Sequence, residues 1–212
     1  MKIIKTNGIY HLTKLKKSDG WYWDTDYASG DLYEAEELFR HNHPIKSNRL
    51  VFVHYPDGRV VEPIKAKVGQ YFGAPIFAEG CLYILMVDFP ENKILILQYD
   101  DTAKEITLRA EISLAEVKDC YNLMLKESPL MLVRQGSEDI FQIVWPEKAE
   151  FAIGNTEAFD SRDGDKLYFS RWLEDTEYLD EIVIRQFPSG KILEIIEGVL
   201  WEMPDGQRWI LQ

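Results

Sequence analysis

Short runs in which apolar residues alternate with polar ones, or crowd together for a few positions, recur along nearly the whole chain. "LVFVHY", "RVVEPI", "LYILMV", "KILILQY", "EIVIRQ", "KILEII", "VLWEM" and "RWIL" are rich in Val, Ile, Leu and aromatic residues, which suit a pleated, half-buried surface. With "GIYHLT", "GWYWDTD", "EITLRAEI", "PLMLVRQ", "DIFQIVW" and "KLYFSRW" they predict about fourteen strands joined by short turns. Four of the connections share a pattern: "HYPDGRV", "DFPENKI", "QFPSGKI" and "EMPDGQR". Pro presets φ for the first central position of a type I turn, and Gly or Asn then takes the left-handed conformation that a following bulge demands. The pattern predicts four β-hairpins with the same kind of corner.

Two segments carry a helical period. Ser113 and Glu116 frame a capping box ahead of Val117, Cys120, Tyr121, Leu123 and Met124, which predicts one or two turns of helix. In "GDLYEAEELFRH", Asp31 and Glu34 form a second possible box, but the stretch pairs equally well back onto "WYWDTD"; we assign it as strand.

At 212 residues, with no Ser/Gly/Pro-rich or highly charged interruption, the chain is expected to form one domain over residues 1–212. Successive hairpins open near Trp21, Leu50, Leu82, Leu130, Leu167 and Val199, and a four-stranded propeller blade takes about 40 to 45 residues. The expected fold is therefore all-β: an antiparallel hairpin meander forming a small β-propeller of about five blades, with a β-sandwich or open barrel as the alternative. Trp209 and Leu211 share one face of the last strand, which is expected to be buried and to lie in one sheet with "GIYHLT", closing the ring.

The 36 acidic against 24 basic residues give a formal charge of -12, a surface that repels phosphate backbones and anionic bilayers. Neither nucleic acid nor membrane is expected as a partner. The apolar run in "MKIIKTNGIYHL" is too short for a signal peptide and "CLYILMV" is too short to span a bilayer, so a cytoplasmic protein is expected. Cys81 and Cys120, without a CxxC pattern, read as free thiols.

The common phosphate-binding, zincin and nucleophile-elbow motifs are missing. His41 and His43 form a pair without an identifiable third ligand. "WDTDYASGD" spaces Asp24 and Asp26 like the opening of a calcium loop, then places Ala28, Ser29 and Ala35 where a ligand, a glycine and a glutamate are needed. No metal and no cofactor are expected. "GAPIFAEGCLYIL", from Gly73, resembles the strand opener of five-bladed glycosidase propellers, in which an acidic residue before Pro does chemistry; here Ala74 precedes Pro75. "SRDGDKLYF", from Ser161, resembles the Asp-box turn of sialidase-type propellers. The resemblance implies a propeller without the activity, since glycoside hydrolysis needs two placed carboxylates.

In "GWYWDTDY" an extended chain points Trp21 and Trp23 to one face and Tyr22 and Asp24 to the other. Indole rings beside carboxylates can stack on a sugar and bond its hydroxyls, although the same tryptophans also suit core packing. Trp21, Trp23, Asp24, Asp26 and Trp172 are the candidate ligand-binding residues. The expected function is non-enzymatic binding of a carbohydrate or other small polar molecule in an aromatic, acidic depression. A protein-interaction scaffold with an acidic rim and a degenerate or unrecognised glycoside hydrolase are the alternatives. A carboxylate pair about 5 to 9.5 Å apart in a cleft marks the enzyme. An aromatic pocket without one marks the binder, and a flat apolar patch marks the scaffold.

Overall fold

The computed structural model describes residues 1–27, 30–43, 48–174, 178–203 and 206–212, with Tyr178 described by its backbone alone. Strand accounts for 53% and helix for 6%, and every described strand pairing is antiparallel. The all-β expectation holds. The single domain expected over residues 1–212 is described here as two compact units, Met1–Glu127 and Ser128–Gln212, each with its own core. Among the described residues no helix is long and apolar enough to cross a membrane.

The first unit opens with β1 (Thr13–Lys14), β2 (Trp21–Thr25), α1 (Leu32–Arg40), β3 (Leu50–His54) and β4 (Arg59–Val61). It continues with β5 (Gln70–Phe72), β6 (Ile76–Ala78), β7 (Cys81–Asp88), β8 (Lys93–Asp100), β9 (Glu105–Ser113) and β10 (Met124–Glu127). One sheet runs β1-β2-β3-β4; a second runs β5-β7-β8-β9, with β6 also on β7. Alternation in β2 turns Trp21, Trp23 and Thr25 inward, where the two tryptophans join Leu50, Phe52, Ile84 and Met86 in the core. β7 is buried on both faces, as its unbroken apolar run requires.

The strand assigned to residues 30–41 is overturned: Leu32–Arg40 is the helix α1. The edge it would have used is occupied, because β2 pairs with β1 on one side and β3 on the other. The Asp31 carboxylate accepts from the backbone N–H groups of Tyr33 and Glu34 at 3.0 and 3.1 Å, capping the first turn. Leu32, Ala35 and Glu36 then fall on one buried stripe. After Ser113 the chain makes a single 3-10 turn, Leu114–Glu116, with the Ser113 hydroxyl accepting from Ala115 N–H; Val117 is already extended, so the helical period beyond it does not propagate.

The second unit contains β11 (Leu130–Gln135), β12 (Ile140–Trp145) and β13 (Ala149–Ala152), paired in that order. A four-stranded sheet follows: β14 (Glu157–Asp163), β15 (Lys166–Glu174), β16 (Tyr178–Gln186) and β17 (Ile192–Glu197). The chain ends on a two-stranded hairpin, β18 (Val199–Glu202) and β19 (Arg208–Leu211). Phe141, Phe151, Phe159 and Phe169 form the aromatic centre, with ring centroids 4.6 to 6.2 Å apart. Buried Arg185 extends this centre, its guanidinium 5.9 and 5.8 Å from the rings of Phe151 and Phe169 and paired with Glu157 at 2.9 and 2.8 Å.

The repeated Pro corner is a hairpin device. His54 faces Arg59 and Asp88 faces Lys93 across four-residue loops, and the left-handed residues Gly58 and Asn92 end those loops, as Gly190 ends Phe187–Gly190. Only "DFPEN" closes as the expected type I turn, from Asn92 N–H to the Phe89 carbonyl. In the other two the glycine N–H reaches back four residues, Gly58 to His54 and Gly190 to Gln186, both at 2.8 Å, so the type I assignment is corrected there. The fourth corner contains Pro204 and Asp205, outside the described residues. The Asp-box-like "SRDGDKLYF" is a two-residue turn, with Asp163 facing Lys166.

The closing strand is also corrected. β1 pairs with β2 and β19 with β18, so "GIYHLT" and "QRWIL" lie in different sheets. The residues before β1 are committed elsewhere, with Ile9 buried against Val51 and Val53. Trp209 and Leu211 are each 49% exposed.

Candidate functional site

A cavity in the first unit has a volume of about 460 Å³, within the range of small-molecule sites and larger than a second one beside Trp23. Three loop segments wall it: the start of α1 from Gly30 to Tyr33, the turn at Ala74, and the stretch Cys120–Met124. Tyr33 and Tyr121 both line it and meet edge to face, with ring centroids 5.3 Å apart. Asn122, exposed and left-handed at φ 46°, adds an amide.

The walls are fastened to each other. Glu36, buried on the inner side of α1, accepts from the Cys120 N–H at 2.7 Å with one carboxylate oxygen and pairs with Arg40 through the other at 2.5 Å. Gly30 sits so close to the Ala74 turn that a Cβ there would lie 2.7 Å from the Ala74 nitrogen, and its φ of +88° is one that glycine alone adopts freely. The Tyr121 N–H is held by the Asp119 carboxylate at 3.0 Å. A site framed this way is formed before any ligand arrives.

Asp31 is the carboxylate among its lining residues, and its Oδ1 accepts from both backbone donors of the helix cap. Burial pushes the Cys120 thiol far above the ordinary range, and the neighbouring Glu36 carboxylate adds to the effect, so the sulfur stays protonated and a poor nucleophile. Ala74, at the position where the glycosidase-like pattern has an acid, contributes only a methyl group.

The sequence candidates fall elsewhere. Trp21 is buried under Arg59, whose guanidinium lies 5.2 Å from the indole, and beside His54 at 4.8 Å. Trp23 is 8% exposed and lines a second cavity of about 190 Å³ with Lys14, Lys16, Phe77 and Glu127. Asp24 accepts from its neighbour Thr25 N–H at 2.8 Å, and Asp26 from Arg49 N–H, 23 positions away, at 2.7 Å, so both carboxylates bond backbone. Trp172 belongs to the second unit, on β15 opposite Asp180, and is 45% exposed. Trp21 and Trp23 share a core, but neither joins the larger cavity. His41 caps the end of α1, its Nδ1 2.7 Å from the Glu37 carbonyl, and no group of three metal-ligating side chains occurs among the described residues.

Tyr33, Tyr121 and Asn122 were missed by the sequence reading. The signal available for Tyr33 was the Asp31–Glu34 box, which places it in a first helical turn; Tyr121 stood in the helical period after Ser113 that does not form, and Asn122 carries no local pattern. No protein-family model matches the chain, and no curated protein matches it either.

Proposed function

We propose that this chain is a non-enzymatic binding protein of propeller-like architecture that holds a small polar molecule, a sugar ring or similar polyol, against Tyr33 and Tyr121. The carrying observation is the edge-to-face tyrosine pair at a preformed cavity of about 460 Å³ whose lining carboxylate caps α1 through its Oδ1. A ring face packs on one tyrosine while hydroxyls reach the phenol oxygens, the Asn122 amide and backbone groups. The propeller reading is supported by antiparallel meanders that follow one another in chain order, β1 to β4 and β14 to β17, each four strands long.

Isothermal titration against a panel of monosaccharides, disaccharides and polyols tests this. At least one is expected to bind with a Kd between about 10 μM and 1 mM, and Tyr33→Ala and Tyr121→Ala are each expected to weaken it about tenfold or more. A silent panel, or unchanged affinity in both variants, rejects the site. Appearance of a hydrolysed product, lost on Asp31→Asn, would replace the binder with an enzyme.

A further inference from the structure

The smaller cavity, of about 190 Å³, is lined by β1 and the two residues after it, by Trp23 of β2, by residues 75–77 and by Glu127 at the end of β10. Thr13 faces Trp23 across β1 and β2, so their side chains share one side of the sheet. Leu15 and Trp23 belong to the core of this unit, and Phe77 packs against it. The floor is therefore aromatic and aliphatic.

This floor carries an unmet donor. Trp23 is 8% exposed, yet its indole N–H has no acceptor among the described residues and is not sealed from solvent, whereas a buried indole ordinarily finds a partner. The Thr13 hydroxyl is unengaged among the described residues as well.

The local charge has the opposite sign to that of the chain. Three lysines fall within residues 14–17 of a protein whose formal charge is -12. Lys14 faces Tyr22 and so turns to the other side of the sheet, but Lys16 lines the cavity, is exposed and has no ion pair among the described residues. Glu127 is the carboxylate of the lining, and Lys17 lies 3.7 Å from it.

We infer that this cavity binds a small aromatic carboxylate. Its ring lies against Trp23 and Phe77, and its carboxylate takes the Trp23 and Thr13 donors and the Lys16 ammonium. An apolar cavity of about 150 Å³ accepts benzene, so the space here suits one ring with one short substituent. A neutral ring leaves the donors unmet, and an amine meets Lys16 with its own sign. No residue lines both cavities, and the inference does not rest on the tyrosine-walled one.

Proton–nitrogen correlation spectra of the full chain test it, because they separate the indole N–H groups of the six tryptophans and Trp23→Phe assigns the one required. Benzoate is expected to move the Trp23 resonance saturably with a Kd of about 1 mM or tighter, and benzylamine and benzyl alcohol to bind at least about tenfold more weakly. Lys16→Gln, at an exposed position, is expected to weaken benzoate about threefold or more while leaving the rest of the spectrum in place. Benzyl alcohol or benzylamine binding as tightly as benzoate, or Lys16→Gln without effect, overturns the proposal. So does a Trp23 resonance that benzoate leaves still, or a response that Tyr121→Ala abolishes, which would put the ligand in the other cavity.

Discussion

Arg59 grips Asp101 through both guanidinium end nitrogens, at 2.5 and 2.7 Å, while the same guanidinium lies 5.2 Å from the Trp21 ring. One side chain thus roofs a core indole and ties the start of β4 to the turn after β8. A tryptophan that composition offers as a ligand platform is thereby made part of the interior.

Acid should dissolve this tie. The bond from Arg59, helped by Lys104 and opposed by partial burial, holds the Asp101 carboxyl at about 2, against an ordinary 3.8. The ionised form is favoured in the folded state, so its contribution is complete above pH about 4 and is lost as pH falls toward about 2. Asp101→Asn is expected to lower stability by about 1 kcal/mol at pH 7, a figure reduced for solvent screening, and the two proteins should converge near pH 2. Urea melts across that range measure the difference; parallel curves at every pH would mean that the pair contributes nothing.

Gly190 should not tolerate a side chain. Its φ is +70°, and a Cβ would lie 2.1 Å from the Phe151 ring, itself packed on Phe141 and Phe169. Gly190→Ala is expected to destabilise by about 2 to 4 kcal/mol, combining left-handed strain with overpacking. A shift in thermal midpoint of under 2 °C would show that the corner relaxes freely.

The buried pair of the second unit should be asymmetric to mutation. Glu157→Gln leaves Arg185 inside without its counter-charge and is expected to lower stability by about 3 to 5 kcal/mol. Arg185→Met added to it is expected to restore part of the loss. A double variant less stable than the single one would show that the ion pair is not what the site needs.

Deleting Gln207–Gln212 is expected to be mild. β19 pairs only with β18 in its sheet, and Trp209 and Leu211 are half exposed, so little buried surface leaves with it. A cooperative melt within a few degrees of the full chain is the anticipated outcome; loss of soluble protein would show the strand to be part of the core.

Much of the fold was legible because strand alternation is a local property: the runs at 50–54, 81–88, 93–100 and 166–174 need only their own residues to be recognised. Residues 32–40 were misread because pairing depends on which sheet edges are free, and nothing within the segment says that β1 and β3 have taken both. The cavity was illegible for a stronger reason. Its wall comes from residues near 30, 74 and 121, which no local pattern relates, and the contact that joins two of them, Glu36 to Cys120, spans 84 positions. Ala74 is the exception, since the absence of an acid before Pro75 could be read directly and bears on the chemistry.

Cys120 makes the cavity wall self-reporting. Its thiol is 1% exposed and protonated, whereas Cys81, at the start of β7, is partly exposed and bonded by the Gln98 amide at 3.0 Å. An alkylating reagent will therefore consume Cys81 first and reach Cys120 only in the moments when Glu36 releases its N–H and the loop swings open. The slow phase of labelling is a stopwatch on that opening, and a molecule seated against Tyr33 and Tyr121 should make it run slower.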